Sequence, residues 1–518
     1  MPARRPPLPL WAAMLVAAVG GFTLDASFPS LGIWPLAFAA VAMSLVTLIG
    51  RRAGSALLVG LVFGAAFYYP HVDWAASFLG DNELAWVPWV ALAGVEALFM
   101  GLGAIPIALA YRWTDRWSGA ARLLAVPALV AGVWTAREVI MGSWPYGGFA
   151  WGRIGMAMSD SFLAQTASWV GVTGLTFLCV AVSALVIEAV REGRRRPRGP
   201  VRTAGLAIPA ALVLAVTALL PQFPTTPAGT LRVGAVQGNG PAAYMDEREY
   251  LDVLRAQVAT TRELAGKDLD VVLWPEGGVD ADPRADARVA AILDDVVADH
   301  GAPLLMNAAS AEGDRVYNMS MLWTPDGPEQ THAKRNPVPF GEYVPDRAVF
   351  ERIVPSLIGM IGREYTPGTD SPVFDIAGVG VGLAICFDVI DDGFIREGIH
   401  DGAQAFLFQT NNADFRGTDE NLQQLAFARM RAIETGRSVM NLSTVGTSQL
   451  IAPDGTTLAH IGVDEVGVIV ADVELRDGLT AGVVVGPWLT GLVTIGALAA
   501  LVILFFRRER GTPAGARS

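Results

Sequence analysis

Val381-Gly382-Leu383-Ala384-Ile385-Cys386-Phe387-Asp388 is an apolar, strand-like run that ends on a thiol. A rigid strand fixes the backbone and the turn that follows exposes the sulfur, so this is a good mount for a nucleophile. The chain has 2 cysteines. The other, Cys179, lies inside a long apolar segment and reads as a small buried hydrophobe. A lone cysteine is more often structural than catalytic, so Cys386 has to be judged by its company.

Two upstream islands supply that company: Leu273-Trp274-Pro275-Glu276-Gly277-Gly278, and Lys334-Arg335-Asn336-Pro337-Val338-Pro339-Phe340-Gly341-Glu342-Tyr343-Val344-Pro345. The thiolate is the reactive form of cysteine, which calls for a base or a cation nearby. Glu276 ends a Val-Val-Leu-Trp strand and precedes two glycines that allow close backbone approach. Set among apolar strand residues and Trp274, its carboxyl is expected to titrate high, as suits a proton shuttle. Lys334 is one of only two lysines, with Lys267, among 38 basic residues. A compact ammonium kept in so arginine-biased a chain fits the stabilisation of a tetrahedral oxyanion, and Glu342 is placed to pair with it. Each island alone has a bland reading, a turn carboxylate or a solvated Lys-Arg pair. A carboxylate, an ammonium and a thiol in this order are the parts of an acyl-transfer site.

Around these islands the pattern is α/β. Strand-like runs occur at 231–237, 271–274, 304–308, 379–386, 405–409, 438–442 and 467–473, with helical patterns at 246–265, 285–299 and 420–435. Alternation of this kind predicts a sheet covered by helices.

The rest of the chain belongs to a membrane. Of 518 residues 52 % are hydrophobic and 17 % charged, and the mean hydropathy is +0.40, outside the range of soluble domains. Apolar runs long enough to span a bilayer lie at 9–24, 32–50, 54–70, 85–111, 123–141, 162–189, 204–221 and 484–506. Charge divides the same way: residues 1–228 carry a net +5, 229–484 a net −20 and 485–518 a net +3. The acidic block lacks the positive surface that nucleic-acid binding needs. Five scattered histidines show no metal-ligand spacing, and two cysteines cannot build a disulfide framework, so neither a metal nor a cofactor is expected. The expected organisation is a seven-helix membrane domain (1–228), an extracytoplasmic domain (229–483) and a closing span with a basic tail (484–518). Arg4, Arg5, Arg51, Arg52, Arg112, Arg116, Arg122, Arg191, Arg194, Arg195, Arg196, Arg198, Arg202, Arg507, Arg508 and Arg510 fall on one side. By the positive-inside rule this makes both termini cytoplasmic. Trp144, Tyr146, Phe149 and Trp151, between the fifth and sixth spans, read as interfacial anchors. The stretch 354–362, apolar between charged flanks, has two readings: a membrane-dipping lid with glycine hinges, or ordinary core packing.

The Glu276, Lys334 and Cys386 islands resemble the Glu-Lys-Cys triad of the nitrilase, or carbon-nitrogen hydrolase, superfamily over roughly 229–475. That resemblance implies an αββα sandwich with Glu276 as general base, Lys334 supporting the tetrahedral intermediate and Cys386 forming a thioester. Nitrilase-type enzymes are mostly soluble. Seven leading spans and one closing span make the whole chain resemble the apolipoprotein N-acyltransferases. Further matches are Gly147-Gly148-Phe149-Ala150-Trp151, Val236-Gln237-Gly238-Asn239, Pro339–Pro345 and the run from Gln424 to Arg431. The resemblance implies a bacterial cytoplasmic-membrane enzyme, a monomer. It would move an acyl chain from a phospholipid through Cys386 to the α-amine of a diacylglyceryl-cysteine apolipoprotein. Two departures bear on lipid or acceptor preference. Cys386-Phe387-Asp388 stands where the family frequently has Cys-Tyr-Glu, and Asn411–Gly417 stands where it frequently has Asn-Asp-Ala-Trp-Phe-Gly. A membrane-tethered amidase and a membrane protein with an inactive nitrilase-like domain are the alternatives.

Overall fold

A computed structural model of the chain describes residues 6–195, 205 and 208–510. Arg4, Arg5, Arg196, Arg198 and Arg202 of the orientation argument lie outside them. The chain forms two compact units: Met1–Asp73, Pro88–Gln222 and Ala481–Ser518 make one, and Trp74–Val87 with Phe223–Thr480 make the other. The segment Trp74–Val87, which the sequence reading left in the membrane part, is thus built into the second unit.

The first unit is helical. Its elements are α1 (Leu10–Asp25), α2 (Leu36–Leu48), α3 (Ala53–His71), α4 (Trp86–Trp113), α5 (Val126–Met141), α6 (Ala167–Arg195), α7 (Ile208–Ala218) and a C-terminal helix, Ala481–Arg510. Each falls on one of the eight apolar runs. Five helical stretches, Ala53–His71, Trp86–Trp113, Ala121–Met141, Ala164–Arg195 and Ala481–Arg507, are long and apolar enough to cross a membrane, and α1, α2 and α7 are shorter apolar helices. Without a hydrophobic drive between spans, close backbone approach is what packs them. A Cβ on Gly21 of α1 would sit 2.5 Å from the Phe63 carbonyl of α3, so only glycine permits that contact. Arg137 and Glu138 are buried and paired at 3.2 Å, with the Trp134 indole donating to Glu138 at 2.8 Å. Trp144 and Tyr146 are exposed, as an anchor would be, but Trp151 is buried with its ring stacked on Phe149, so it packs rather than anchors.

The second unit is a sandwich of two six-stranded sheets, ordered β12-β1-β2-β3-β4-β5 and β11-β10-β9-β8-β7-β6. The first comprises β1 (Thr226–Gln237), β2 (Val271–Leu273), β3 (Leu304–Glu312), β4 (Arg315–Thr324), β5 (Gly327–Ala333) and β12 (Gly467–Asp477). The second comprises β6 (Val373–Ile376), β7 (Val379–Ile385), β8 (Ala405–Thr410), β9 (Val439–Ser443), β10 (Ser448–Ile451) and β11 (Thr457–Ile461). In each sheet the centre is parallel (β1, β2, β3; β7, β8, β9) and the flanks antiparallel. Parallel central strands are buried on both faces and so read as continuous apolar runs. Leu231, Val233, Leu273 and Leu305 from one sheet meet Val381, Leu383, Leu407 and Met440 from the other in the core between them. The outer face of the first sheet is covered by α8 (Asp252–Thr261) and α9 (Ala287–His300), whose Val289, Leu293 and Val296 pack on Trp274 and Met306. Asp286 caps α9 by accepting from the Arg288 amide, and Gly301, at φ 63, ends it. After α10 (Arg347–Ile353) and α11 (Pro355–Ile358) come α12 (Asp392–His400) and α13 (Glu420–Thr435), which flank the second sheet. The layers are αββα, with a polytopic helical domain beside them in the chain.

Candidate active site

Cys386 is the first residue after β7, at φ 49, a left-handed conformation that costs a non-glycine residue roughly 1–3 kcal/mol. The buried Asp388 carboxylate holds it there. Asp388 Oδ1 accepts from the Asn336 amide N–H at 2.7 Å and from Asn336 Nδ2 at 3.1 Å, and Oδ2 accepts from the Ile385 and Arg335 amides, each at 3.3 Å. The turn that presents the sulfur is therefore stitched to the residues that follow Lys334.

Lys334 is buried and lies between two buried carboxylates. Its Nζ donates to Glu276 Oε1 at 3.1 Å and pairs with Glu342 Oε2 at 2.8 Å. Asn318, on β4, reaches the same carboxylates from the other side: its Nδ2 donates to Glu276 at 2.7 Å and to Glu342 at 3.1 Å. Behind it Asn307 Nδ2 donates to Asn318 Oδ1 at 2.8 Å, and the Gly277 amide donates to Asn307 Oδ1 at 2.8 Å. Gly277, at φ 64, turns the chain sharply enough for that last bond. Glu342 is fixed by its own loop, since the Val338 amide donates to its Oε2 and its amide donates to the Val338 carbonyl, both at 2.8 Å.

Burial pushes the Glu276 carboxyl up, and Glu342 adds to the effect against the opposing pull of Lys334. Burial works the same way on Glu342, but there Lys334 and the Val338 and Asn318 donors prevail and hold the carboxyl below its usual range. For Lys334 desolvation is outweighed by Glu276 and Glu342, so it stays an ammonium well above its ordinary pKa. The Cys386 thiol is pushed well above its ordinary value by burial and by Glu276, with Lys334 opposing. The two carboxyls are thus pushed in opposite directions, Glu276 up and Glu342 down. A buried thiol coupled by charge to a carboxyl of raised pKa is an arrangement that can support general-base activation.

Residues 20–185 match the apolipoprotein N-acyltransferase N-terminal domain family, and residues 232–478 match the carbon-nitrogen hydrolase family. An apolipoprotein N-acyltransferase of Mycolicibacterium smegmatis is 31 % identical over 97 % of this chain and 86 % of its own length. The chain belongs to the apolipoprotein N-acyltransferase family. One from Azotobacter vinelandii is 28 % identical over 98 % of this chain and 97 % of its own. A solved carbon-nitrogen hydrolase superfamily protein from Xanthomonas campestris is 19 % identical over 48 % of this chain and 91 % of that one, at a TM-score of 0.37. As a member of this family the chain is an acyltransferase.

Asn318 and Asn307, which bond around this site, escaped the sequence reading, and Asp388 and Gln424 were quoted there within motifs without a role. Asn307 is a polar residue in the apolar start of β3, the one sequence signal among them. The expected lid is corrected in detail. Leu357, Ile358 and Ile361 are buried, the last two in a small cluster with Val344. The exposed apolar side chains lie one helix earlier, at Val349 and Ile353 on α10. At the second family departure, Asp414 stands where a Trp is frequent, and its carboxylate accepts from the Tyr244 amide at 2.6 Å. Tyr244 is stacked on Phe78 with ring centroids 6.0 Å apart, and the Arg363 guanidinium lies over the Tyr244 ring, 4.2 Å from its centroid. Trp74 donates to Gln423 Oε1 at 3.1 Å, so Trp74–Val87 lies among these loops.

Proposed function

We propose that this enzyme moves a fatty acyl chain from a membrane phospholipid to the α-amine of the N-terminal S-diacylglyceryl cysteine of an apolipoprotein, through a thioester on Cys386. The observation that carries the reading is the Lys334 ammonium held between Glu276 and Glu342, in a chain that matches apolipoprotein N-acyltransferases along almost its whole length. The reaction runs in two halves. Glu276 takes the thiol proton as the sulfur attacks the donor ester carbonyl. Lys334 faces the oxyanion of the tetrahedral intermediate. Collapse expels the lysophospholipid alkoxide, which leaves with the proton from Glu276. In the second half the amine attacks the thioester, Glu276 takes its proton, and the Cys386 sulfur departs and is reprotonated.

Both substrates are held in a bilayer by their acyl chains, so the site belongs at the outer face of the cytoplasmic membrane. We take residues 229–483 as extracytoplasmic and both termini as cytoplasmic, as the loop charges indicate. The four site residues come from one chain, and a monomer is the working unit. A tethered amidase needs no eight apolar helices, and a dead sensor needs no intact set of acid, base and thiol. The test is intact-mass analysis of the detergent-purified protein after incubation with phospholipid, beside Cys386→Ala. A fatty-acyl increment on the unaltered chain alone, discharged by a diacylglyceryl-cysteine peptide, is expected. An increment that decays without an amine indicates a hydrolase, and no increment on folded protein overturns the reading.

A further inference from the structure

Gln424, on α13, donates its Nε2–H to the Cys386 sulfur at 3.3 Å. An amide is as able to present its oxygen as its nitrogen, and the two have opposite effects. An N–H on sulfur stabilises the thiolate, whereas a carbonyl oxygen stabilises the thiol. Which end faces Cys386 is decided by the surrounding bonds. Asn412 Nδ2 donates to Gln424 Oε1 at 2.8 Å, which commits that oxygen away from the sulfur. The second hydrogen of Asn412 Nδ2 goes to Glu420 Oε2 at 2.7 Å, and its Oδ1 accepts from Ser443 Oγ at 2.6 Å. Ser443 Oγ in turn accepts from the Gly446 amide at 2.9 Å, so its own hydrogen is free to point at Asn412. A Cβ on Gly446 would come within 2.4 Å of Asn412 Oδ1, so a glycine is required for this corner to close. Every donor and acceptor in the chain from Gly446 to Cys386 therefore has one consistent direction.

We propose that Gln424 is a further catalytic residue, whose amide N–H stabilises the anionic form of the Cys386 sulfur, and that Asn412, with Ser443 and Glu420, positions it by fixing which end of the amide faces the thiol. The thiolate occurs twice in a thioester cycle, as attacking group and as leaving group, so one fixed donor serves both halves. The titratable groups that bear on Cys386 are Glu276, Lys334, Glu420 and Glu342. Burial pushes the Glu420 carboxyl up to about 8. At neutral pH it accepts the Asn412 bond as a neutral acid and adds no negative charge beside the sulfur. This inference rests on the thioester reading above, but its test does not need acyl transfer.

The test is the rate of iodoacetamide alkylation of Cys386 against pH, read by intact mass on the full chain in detergent with Cys386→Ala as the blank. Gln424→Met keeps the length and removes the donor. The midpoint of its profile is expected to rise by about one pH unit, with roughly a tenfold slower rate at neutral pH. Asn412→Leu frees the amide to turn and is expected to shift the midpoint the same way by less. An unchanged midpoint in folded Gln424→Met overturns the proposal. Should that variant fail to fold, Gln424→Leu, which also lacks the donor and adds no charge, is read by the same criterion. A shifted midpoint in a chain that takes no acyl group from phospholipid would uphold the Gln424 bond while sinking the acyltransfer reading, so the two fail separately.

Discussion

Asp388 binds Asn336 twice, accepting its backbone N–H at 2.7 Å and its side-chain amide at 3.1 Å, and so ties the Cys386 turn to the loop that carries Lys334. The strain at Cys386 persists because this carboxylate has four donors around it. Asp388→Asn keeps the shape but turns one acceptor into a donor aimed at other donors, on one side or the other. Leaving buried donors unpaired costs roughly 1–3 kcal/mol. A lower melting temperature and slower acyl-enzyme formation are expected together, by thermal unfolding and by mass. A variant that melts lower yet acylates at the normal rate would show that the turn does not need this tether.

Lys334→Met tests the charge balance. Removing the ammonium leaves Glu276 and Glu342 buried and facing one another, with Asn318 as their shared donor. Breaking a buried pair of this kind costs roughly 3–5 kcal/mol. The loss should shrink at acid pH, where one carboxyl takes up a proton. Acyl-enzyme formation should fall to background. Thermal unfolding at several pH values checks the first point and intact mass the second. A destabilisation independent of pH would mean the pair does not act through charge.

The two faces of this site differ in how far the sequence disclosed them. Glu276 and Cys386 stand at the ends of apolar strands beside turn residues, and Lys334 is one of two lysines in the chain, so each announces itself locally. The parallel centre of each sheet was legible for the same reason, because strands buried on both faces are apolar throughout. The antiparallel flanks β4, β5, β6, β10 and β11 were not read. They alternate or are short and polar, and β5 (Gly327–Ala333) carries no apolar run at all. The supporting groups are hidden by distance along the chain. Asn318 meets a carboxylate 42 residues away and Asp388 a donor 52 away. Such partners exist only once the strand pairing does. Trp74–Val87 is the extreme case: its apolar and aromatic residues look like any loop between spans until Trp74 is seen on Gln423, 349 residues on.

Glu420 gives a pH-dependent stability with a definite sign. Its carboxyl is pushed up to about 8 by burial, aided by Glu276 and Asp414 and opposed by the Asn412 bond. In the unfolded chain it titrates near 4.3. Between those values the folded state keeps a proton that the unfolded state has lost. The folded chain therefore loses up to roughly 1.4 kcal/mol per pH unit as pH rises through the window. Glu420→Gln removes the titration and keeps an oxygen for Asn412. The variant should gain on the unaltered chain steadily from about pH 5 to about pH 8 and hold a constant lead beyond. Melting temperatures across that range decide it, and parallel curves would place the Glu420 carboxyl in its ordinary range.

Trp74 links a loop between two apolar helices to the helix that carries Gln424. Its indole N–H donates to Gln423 Oε1 at 3.1 Å, and its ring meets Phe415 edge-on at 5.1 Å. Gln423 precedes the residue whose amide touches the Cys386 sulfur. Trp74→Phe keeps an aromatic ring and deletes the donor, a loss of about 1 kcal/mol, and should slow acyl-enzyme formation several-fold through the altered seat of α13. Trp74→Ala also empties a buried site, at roughly 3–5 kcal/mol, and should be the less stable of the two. Trp86, 54 % exposed at the other end of the same segment, is the control. Acylation time courses by mass, set beside melting curves, separate the effects. If Trp74→Phe matches Trp86→Phe in both measurements, the segment Trp74–Val87 packs against this unit without steering its chemistry.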